Sequence, residues 1–263
     1  MSDNYLEINK NSWNNRVDAH LHSAFYDVQG FINGKSSLNA IELELLGDVR
    51  GLEILHLQCH FGQDSISLAR MGAKVTGVDL SDKAIDAAIE LNAKTQNDAE
   101  FICCDIYSLP DHLNKKFDVV YTSYGTIGWL PDLYKWAAVI NCYLKPGGRF
   151  IMAEFHPVVW MFDEQFSAIK YSYFNTGVII ENENGTYADR DANIQQDYVM
   201  WNHGLSEVLG SLLEVGLVLK SFREFDYSPY NCFLETKEYE QGKFRIKHLE
   251  NRIPMVYSLL VMK

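Results

Sequence analysis

Residues 52–80, LEILHLQCHFGQDSISLARMGAKVTGVDL, decide the fold of this chain. The apolar run at 52–57 has the length of a strand, and the polar turn around Gly62 leads into a segment with helical spacing. Gly72 ends that helix, and a second β-branched run at 75–78 stops at Asp79. Strand, turn, helix, strand and terminal carboxylate predict a βαβ unit of about thirty residues, the first half of a nucleotide-binding sheet.

The turn after the first strand distinguishes two kinds of ligand. A dinucleotide site needs G-x-G-x-x-G, because the pyrophosphate approaches bare backbone there. In residues 56–62, HLQCHFG, only the last glycine is present, and Asp64 in the first helical turn would repel a phosphate. The same carboxylate is compatible with a ligand that carries an ammonium and a sulfonium. The turn therefore argues against NAD and leaves S-adenosylmethionine open.

Length and composition limit the classes to which this protein can belong. The chain has 263 residues, which suits one large domain or one domain with an insertion. Its 23 Lys and Arg against 35 Asp and Glu give a net charge of −12, which disfavours binding to nucleic acid. The sequence shows no bilayer-spanning apolar run and no signal peptide, so we expect no membrane partner. Five cysteines without a C-x-x-C pair predict reduced thiols and a cytoplasmic location.

Two predicted strands end in a carboxylate. Asp79 holds the position that hydrogen-bonds ribose hydroxyls in nucleotide-binding sheets. Residues 100–104 predict a third strand that leads into Asp105, whose carboxylate can accept a hydrogen bond from an adenine amine. Residues 117–123 predict a fourth strand buried on both faces. A helix at 133–144 follows, residues 145–148 (KPGG) break it, and 149–154 predict the fifth strand.

These segments together resemble the class I (Rossmann-like) S-adenosylmethionine-dependent methyltransferases. FDVV at 117–120 followed by LKPGG at 144–148 is the most specific part, and the resemblance covers roughly residues 50–156 and returns at the C-terminus. It implies an α/β, doubly wound, mostly parallel sheet of seven strands in the order 3-2-1-4-5-7-6, with the last strand antiparallel. It also implies S-adenosyl-L-methionine as cofactor and methyl transfer to a small-molecule acceptor, mainly by proximity and orientation.

The resemblance also assigns cofactor-binding residues. It implies Gly62 as the turn glycine, Asp79 as the ribose ligand and Asp105 as an adenine contact, with residues 123–125 beside the amino-acid portion. The turn departs from the family pattern, since His56, Gln58 and His60 stand where the family usually has an acidic residue and further glycines. The predicted cofactor-binding residues are Gln58, His60, Phe61, Gly62, Asp79, Leu80, Asp105, Ile106, Ser123, Tyr124 and Gly125.

We divide the chain into four parts of one methyltransferase domain. Residues 1–48 form an N-terminal helical lid, which either covers a sheet edge or forms a flap over the ligand. Residues 49–155 are the cofactor-binding core, and 203–263 complete it. Residues 156–202 are an aromatic-rich insertion, with a hairpin signal at Asn184-Gly185, and we interpret them as a cap over the acceptor. The predicted substrate-pocket residues are Trp13, Tyr26, Trp129 and Trp160.

His156 is the candidate catalytic residue, because it directly follows the fifth strand. It is either a turn residue before Pro157 or a group at the mouth of the pocket that takes a proton from the acceptor. His56, Cys59 and His60 match none of the usual zinc spacings, so we expect no metal. We interpret Cys103 and Cys104 as buried strand residues.

Two other functions stay open at this stage. A nicotinamide-dependent oxidoreductase shares the sheet but requires the glycines that the turn lacks. A non-catalytic S-adenosylmethionine-binding protein shares the site but turns over no acceptor. The acceptor, the atom that is methylated and the oligomeric state do not follow from the sequence.

Overall fold

The computed structural model describes residues 4–263, so residues 1–3 of the predicted lid lie outside the described part. Seven helices, α1 to α7, span Tyr5–His22, Val28–Ile32, Ala40–Leu46, Gln63–Arg70, Asp82–Lys94, Leu133–Tyr143 and Leu205–Glu214 among these residues. Eleven strands, β1 to β11, span Glu53–Leu57, Lys74–Asp79, Glu100–Cys103, Phe117–Thr122, Leu144–Phe155, Ile179–Asn184, Gln195–Met200, Val218–Phe225, Thr236–Glu240, Lys243–Ile246 and Val256–Met262.

Seven of these strands form one sheet in the order β3-β2-β1-β4-β5-β11-β8. Strands β1 to β5 are parallel to one another, and β11 runs antiparallel to both β5 and β8. Since β8 and β11 are the sixth and seventh strands of this sheet along the chain, the predicted order 3-2-1-4-5-7-6 is confirmed. The carboxyl ends of β1 to β5 therefore meet at one edge, where ligands of open α/β sheets bind.

The central strands are buried on both faces, as their apolar sequences predict. On one face Leu55 packs in a core with Trp136 of α6, and the Trp136 ring meets Phe150 edge to face. On the other face Ile54 packs with Leu46 of α3 and neighbouring side chains. Alternation along β1 thus sends successive residues into two separate cores, and this fixes the strand at the centre of the sheet.

The fifth strand begins earlier than the sequence suggests. β5 starts at Leu144 and includes the LKPGG segment, which we had expected to lie outside the strand. The register with β4 shifts within this segment, and Gly147 N–H donates to Lys263 O at 3.1 Å. A side chain on Gly148 would meet Lys145 O at 2.9 Å, so only glycine fits the bulge. The glycines therefore kink the strand rather than precede it.

Three points of local structure complete the description, and the last corrects an expectation. Residues 25–34 contain the short helix α2, where Asp27 accepts a hydrogen bond from Gly30 N–H at 3.1 Å. Gly204 is the N-cap of α7, and the nearby Asn202 amide donates to Ser172 O at 2.8 Å. Cys103 is exposed, whereas Cys104 is buried.

Two small hairpins lie outside the main sheet. The predicted hairpin in the insertion is present as β6 and β7, but Asn184 pairs with Gln195, so residues 185–194 form a long loop instead of a tight turn. Strands β9 and β10 form a second hairpin within 228–255, a region for which the sequence showed no strand pattern. The helices of residues 4–263 include none that combines the length and apolarity needed to cross a membrane.

The first hairpin joins the N-terminal helix. The Asn9 amide donates to Val199 O and its oxygen accepts from Val199 N–H, both at 2.8 Å. A buried side chain of α1 thus continues the hydrogen-bond pattern at the edge of β7. Helix α1 and the β6–β7 hairpin consequently form one continuous cover.

Candidate active site

One large cavity of about 640 Å³ lies at the carboxyl edge of the sheet. It lies beneath α1 and the insertion, which supply part of its lining. All eleven predicted cofactor-binding residues line it, and so do the four predicted substrate-pocket residues. The structure thus brings together the turn, the two strand-end carboxylates and residues 123–125. His156 is not part of the lining.

The turn after β1 has the left-handed backbone that favours glycine, although two of its three left-handed residues are not glycine. Gln58, His60 and Gly62 all adopt the left-handed conformation, with φ of 55°, 51° and 78°. A side chain at Gly62 would lie 2.7 Å from the Phe101 ring, so this position requires glycine. Gln58 and His60 instead place side chains in the cavity lining at the cost of backbone strain. The Gln58 amide donates to Thr126 O at 2.9 Å, and its own oxygen is buried with no partner among the described residues.

His60 connects this turn to the lid. Its Nδ1 accepts from Phe61 N–H at 2.7 Å, so Nε2 carries the proton and donates to His20 Nδ1 of α1 at 2.7 Å. The Trp13 ring, also on α1, meets the His60 ring edge to face at 5.2 Å between centroids. Burial, with the positive charge of Arg16, lowers the pKa of His60 to about 3, so the pair is neutral at physiological pH.

The two strand-end carboxylates keep acceptor capacity for a ligand. Asp79 accepts from His60 N–H at 2.8 Å and from Ser81 N–H at 2.9 Å, one on each oxygen. Burial raises the pKa of Asp79 to about 6. Asp105 accepts from Tyr107 N–H at 3.0 Å and Ser108 N–H at 3.2 Å through the same oxygen, Oδ2. Each ionised carboxylate has about four lone-pair sites, so both can accept further hydrogen bonds.

Glu154, at the end of β5, holds the loop after β4. Its carboxylate accepts from Thr126 N–H at 2.8 Å, Thr126 Oγ1 at 3.0 Å and Ile127 N–H at 3.2 Å, and also from Gly125 N–H and Phe155 N–H. Glu154 is only 1% exposed, and burial raises its pKa. This buried carboxylate therefore fixes the segment that carries Tyr124 into the cavity lining.

A second acidic group lies beside Tyr124. The Tyr124 hydroxyl donates to Glu42 Oε2 at 2.8 Å, and Asn39 donates to Glu42 Oε1 from its backbone at 2.7 Å and its side chain at 3.1 Å. Burial, and next the charge of Asp64, raise the pKa of Glu42 to about 7. Asp64 lines the cavity and accepts from Ser37 Oγ at 2.6 Å.

Arg16 is a buried cation of the lid that also lines the cavity. Its guanidinium donates to Glu183 of β6 at 2.8 Å and to Ser12. It lies 5.3 Å from the Trp13 ring centroid and 5.6 Å from that of Trp129. The ion pair with Glu183 connects α1 with the insertion, and the cation–π contact with Trp129 connects it with the loop after β4.

The insertion supplies aromatic walls. Trp160 packs edge to face on Phe155, with ring centroids 5.7 Å apart, and both pack on Phe233 from the C-terminal region. Tyr187 of the insertion and Tyr26 of the lid share a hydrogen bond between their hydroxyls. The insertion and the C-terminal region thus contribute an aromatic cluster to the cavity lining, next to charged residues such as Glu181, Glu183 and Arg190.

The structure corrects the position expected for His156. The chain leaves β5 after Phe155 and turns towards the β8 edge, where His156 Nε2 meets Glu224 Oε1 at 2.9 Å. Its Nδ1 accepts from Val158 N–H at 3.2 Å, so both ring nitrogens have protein partners. The side chain is 4% exposed and lies outside the cavity lining. His156 stabilises the turn before Pro157 and is not positioned to take a proton from an acceptor.

Sequence reasoning missed four residues that organise the site: Arg16, His20, Glu42 and Glu154. Arg16 lies two residues before Asp18 on a helix without a clear apolar face. The neighbouring residues therefore do not predict that its side chain is buried. Glu42 was recognisable as a helix-capping residue three positions after Asn39, but its contact with Tyr124 spans the chain. Glu154 was placed in the fifth strand. A charged residue in an otherwise apolar, buried strand is rare, and this could have indicated a structural or functional role.

Comparison with known proteins agrees with this geometry. Residues 54–148 match the family described as "Methyltransferase domain". An uncharacterized methyltransferase of Synechocystis is 30% identical over 133 residues, 50% of this chain and 60% of the relative. The ubiquinone biosynthesis O-methyltransferase of Albidiferax ferrireducens is 30% identical over 129 residues, 47% of this chain and 50% of the relative. The chain thus spans about half the length of such relatives.

Solved structures share the fold at low identity. An S-adenosylmethionine-dependent methyltransferase from Mesorhizobium loti has a TM-score of 0.58 at 19% identity, covering 88% of this chain and all of that one. A second, from Clostridium acetobutylicum, has a TM-score of 0.58 at 15% identity and covers 97% and 98%. Residues 54–148 thus match the methyltransferase-domain family, and the sheet order of the chain is that of the class I S-adenosylmethionine-dependent methyltransferase fold. The resemblance, and S-adenosylmethionine as cofactor, are confirmed.

The residues present fit this cofactor. Asp79 and Asp105 offer carboxylate acceptors at neighbouring strand ends, where a ribose and an adenine need them. The buried, unpartnered Gln58 oxygen and the unpartnered Nε2 of His56 are polar atoms of the cavity lining that a polar ligand can satisfy.

Proposed function

We propose that this protein transfers a methyl group from S-adenosylmethionine to a small-molecule acceptor held under the lid and the cap. One observation carries the proposal: Asp79, Asp105, Tyr124 and Trp160 line the same cavity of about 640 Å³. Cofactor-type carboxylates and an aromatic wall therefore share a single enclosed space. Its volume is within the range of sites for small molecules.

The cofactor-binding residues have distinct roles in this proposal. Asp79 accepts hydrogen bonds from ribose hydroxyls, while its bond from His60 N–H keeps the turn in place. Asp105 accepts from the adenine amine through the oxygen that no backbone N–H occupies. Residues 123–125, held by Glu154, lie beside the amino-acid portion.

Catalysis in this proposal depends on position rather than on a protein base. When bound, S-adenosylmethionine supplies an electrophilic methyl group on a sulfonium. The chain holds the acceptor against this group, since well-oriented reactants can lower a barrier by about 7–11 kcal/mol. Glu154 keeps Tyr124 in place, and the rings of Trp13, Trp129 and Trp160 exclude water. In this proposal the described part of the lid, residues 4–48, and the cap, residues 156–202, cover the acceptor.

Several features support a small acceptor. The net charge of −12 disfavours nucleic acids. The aromatic side chains of the lining suit an organic molecule, and its charged side chains can supply polar contacts. One relative is an O-methyltransferase of ubiquinone biosynthesis, which supports an acceptor with a hydroxyl group.

The test uses S-adenosylmethionine labelled in its methyl group. The protein is incubated with pools of small phenols, amines and thiols, and in parallel with bulk RNA and DNA. We expect label in at least one small molecule, equimolar formation of S-adenosylhomocysteine, and loss of both products with the Asp79→Ala variant. Label in nucleic acid but in no small molecule would contradict the proposal. Binding without any turnover would identify a non-catalytic cofactor-binding protein.

A further inference from the structure

Two carboxylates lie close together below the methionine end of the proposed cofactor site. Glu42 is fully buried, and Asp64 contributes to the cavity lining. Their hydrogen-bond partners Ser37 and Asn39 are two residues apart in the chain, and the charge of Asp64 raises the pKa of Glu42. Neither forms an ion pair with a lysine or arginine within residues 4–263. Their hydrogen-bond partners are neutral side chains and backbone: Ser37 for Asp64, and Asn39 and Tyr124 for Glu42.

The other groups that face this pair are also neutral. Asp64 acts on the hydroxyls of Tyr26, Tyr121 and Tyr230, and their pKa values are raised well above 10, with burial as the main cause. His56 stacks on Tyr121 with ring centroids 4.8 Å apart, and burial lowers its pKa to about 3. Asp64 in the cavity lining and Glu42 behind Tyr124 therefore form an acidic pair. Arg16 and Lys35, two cations of the same lining, pair with Glu183 and Asp27 instead.

Buried polar atoms without a partner among the described residues lie in the same region. His56 is 1% exposed, it lines the cavity, and its Nε2 has no partner among the described residues. The Tyr121 hydroxyl beside it is likewise buried and unpartnered. Buried polar groups normally have partners, so this region is built for a bound polar group.

We propose that Glu42 and Asp64 make the site selective for the positively charged form of its ligand, the sulfonium, over the neutral thioether product. The inference rests on the proposed function, which places the methionine end beside Ser123 and Tyr124. Tyr124 is hydrogen-bonded to Glu42, and the sulfonium is the atom that joins that end to the ribose. Methyl transfer removes one positive charge from the ligand. The uncompensated carboxylates then favour exchange of product for fresh S-adenosylmethionine.

The test compares two non-reacting ligands that differ in charge. S-Adenosylhomocysteine is neutral overall, whereas sinefungin carries an additional protonated amine near the position of the sulfonium. Titration calorimetry at pH 8 measures both dissociation constants. We expect the parent protein to bind sinefungin about tenfold or more tightly than S-adenosylhomocysteine, since opposite charges a few ångströms apart in a partly buried site interact by more than about 1.4 kcal/mol, the equivalent of that factor.

Asp64→Asn and Glu42→Gln remove the charges while keeping size and one acceptor oxygen. Each should lower the preference for sinefungin by about threefold or more. Asp86→Asn and Glu44→Gln, at exposed positions of α5 and α3, are the matched controls for net charge and should leave the ratio unchanged. Thermal unfolding checks that the variants are folded, and 5′-methylthioadenosine, which lacks the methionine end, checks the adenosine site.

The outcomes separate two failures. Absence of binding by both ligands would contradict the proposed function and this inference with it. Binding of S-adenosylhomocysteine as tight as that of sinefungin would overturn the inference alone. A preference that survives in both Asp64→Asn and Glu42→Gln would also overturn it, because the selectivity would then come from other groups.

Discussion

His60 N–H donates a hydrogen bond of 2.8 Å to Asp79 Oδ2, and this bond joins the turn after β1 to the end of β2. The same His60 donates through its ring to His20 of the lid. His60 has a left-handed backbone at a position where the family usually has glycine. It therefore connects the turn, the carboxylate that we propose as ribose ligand, and the cover. The strain of this conformation, typically about 1–3 kcal/mol, is balanced by those contacts.

Replacing Asp79 should weaken binding of the cofactor. A carboxylate that takes ribose hydroxyls makes charge-assisted hydrogen bonds of about 1.5–3 kcal/mol each, so Asp79→Ala should raise the dissociation constant for S-adenosylhomocysteine about tenfold or more. Asp105→Ala should cost less, because one hydrogen bond to a neutral amine is lost. Calorimetry gives both values, with Asp86→Ala as an exposed control. An unchanged constant in folded Asp79→Ala would exclude Asp79 as the ribose ligand.

Glu154→Gln should loosen the loop after β4. The carboxylate accepts from four backbone N–H groups and one hydroxyl, whereas a glutamine would aim its own N–H groups at some of these donors. Leaving buried donors unsatisfied costs about 1–3 kcal/mol each, so we expect the free energy of unfolding to fall by at least that amount. Urea denaturation measures the change. Glu90→Gln, an exposed residue of α5 paired with Lys94, should change stability by less than about 0.5 kcal/mol.

Unchanged stability of Glu154→Gln would contradict this role of the carboxylate. If Glu154→Gln unfolds at the same urea concentration as the parent, the loop does not depend on the carboxylate. Its proposed role in positioning Tyr124 would then be wrong.

Acid should destabilise the protein partly through His56. Burial lowers the pKa of His56 to about 3 in the folded chain, against about 6.5 in the unfolded chain. Below pH 6.5 the unfolded state binds a proton that the folded state does not, so stability is lost as the pH falls. Between pH 7 and pH 5 this one group should remove about 2 kcal/mol.

The measurement is the free energy of unfolding at several pH values. In His56→Gln the loss between pH 7 and pH 5 should be smaller than in the parent by about 2 kcal/mol. His22→Gln, at an exposed position of α1, should show the same loss as the parent. Identical losses in His56→Gln and the parent would show that His56 is not buried in its neutral form.

Arg16→Met should weaken the attachment of the lid. The Arg16 side chain is 3% exposed and pairs with Glu183, which is 29% exposed and can partly recover water. We therefore expect a loss of about 1–3 kcal/mol in the free energy of unfolding. Arg50→Met removes a pair with Asp48 in which Arg50 is 79% exposed, and it should cost clearly less than Arg16→Met because water screens this pair. Equal costs for the two variants would contradict a holding role for Arg16.

The sequence predicted the parts of the fold that depend on short-range pattern. The βαβ unit, Asp79 and Asp105 follow from where apolar runs end, because parallel strands place their carboxyl ends at one edge. Ser81 could also be recognised as the cap of α5, and it accepts from Ala84 N–H at 3.0 Å. In each case the evidence lies within a few residues.

The parts that the sequence did not predict depend on contacts across the chain. His60 with His20, Glu42 with Tyr124, and Arg16 with Glu183 join segments that are distant in sequence. For His156, the sequence predicted a position in the site that the structure does not show. Its position after a strand suggested the cavity, but the direction of the chain after Phe155 is set by packing on β8, which no local pattern reveals.

Direct binding of S-adenosylhomocysteine by the parent protein is the most decisive measurement. Titration calorimetry should show one ligand per chain, while NAD and NADH bind far more weakly, because the Gly-poor turn and Asp64 disfavour a pyrophosphate. Binding of NAD at least as tight as that of S-adenosylhomocysteine, or no binding of S-adenosylhomocysteine to the folded protein, would contradict the account.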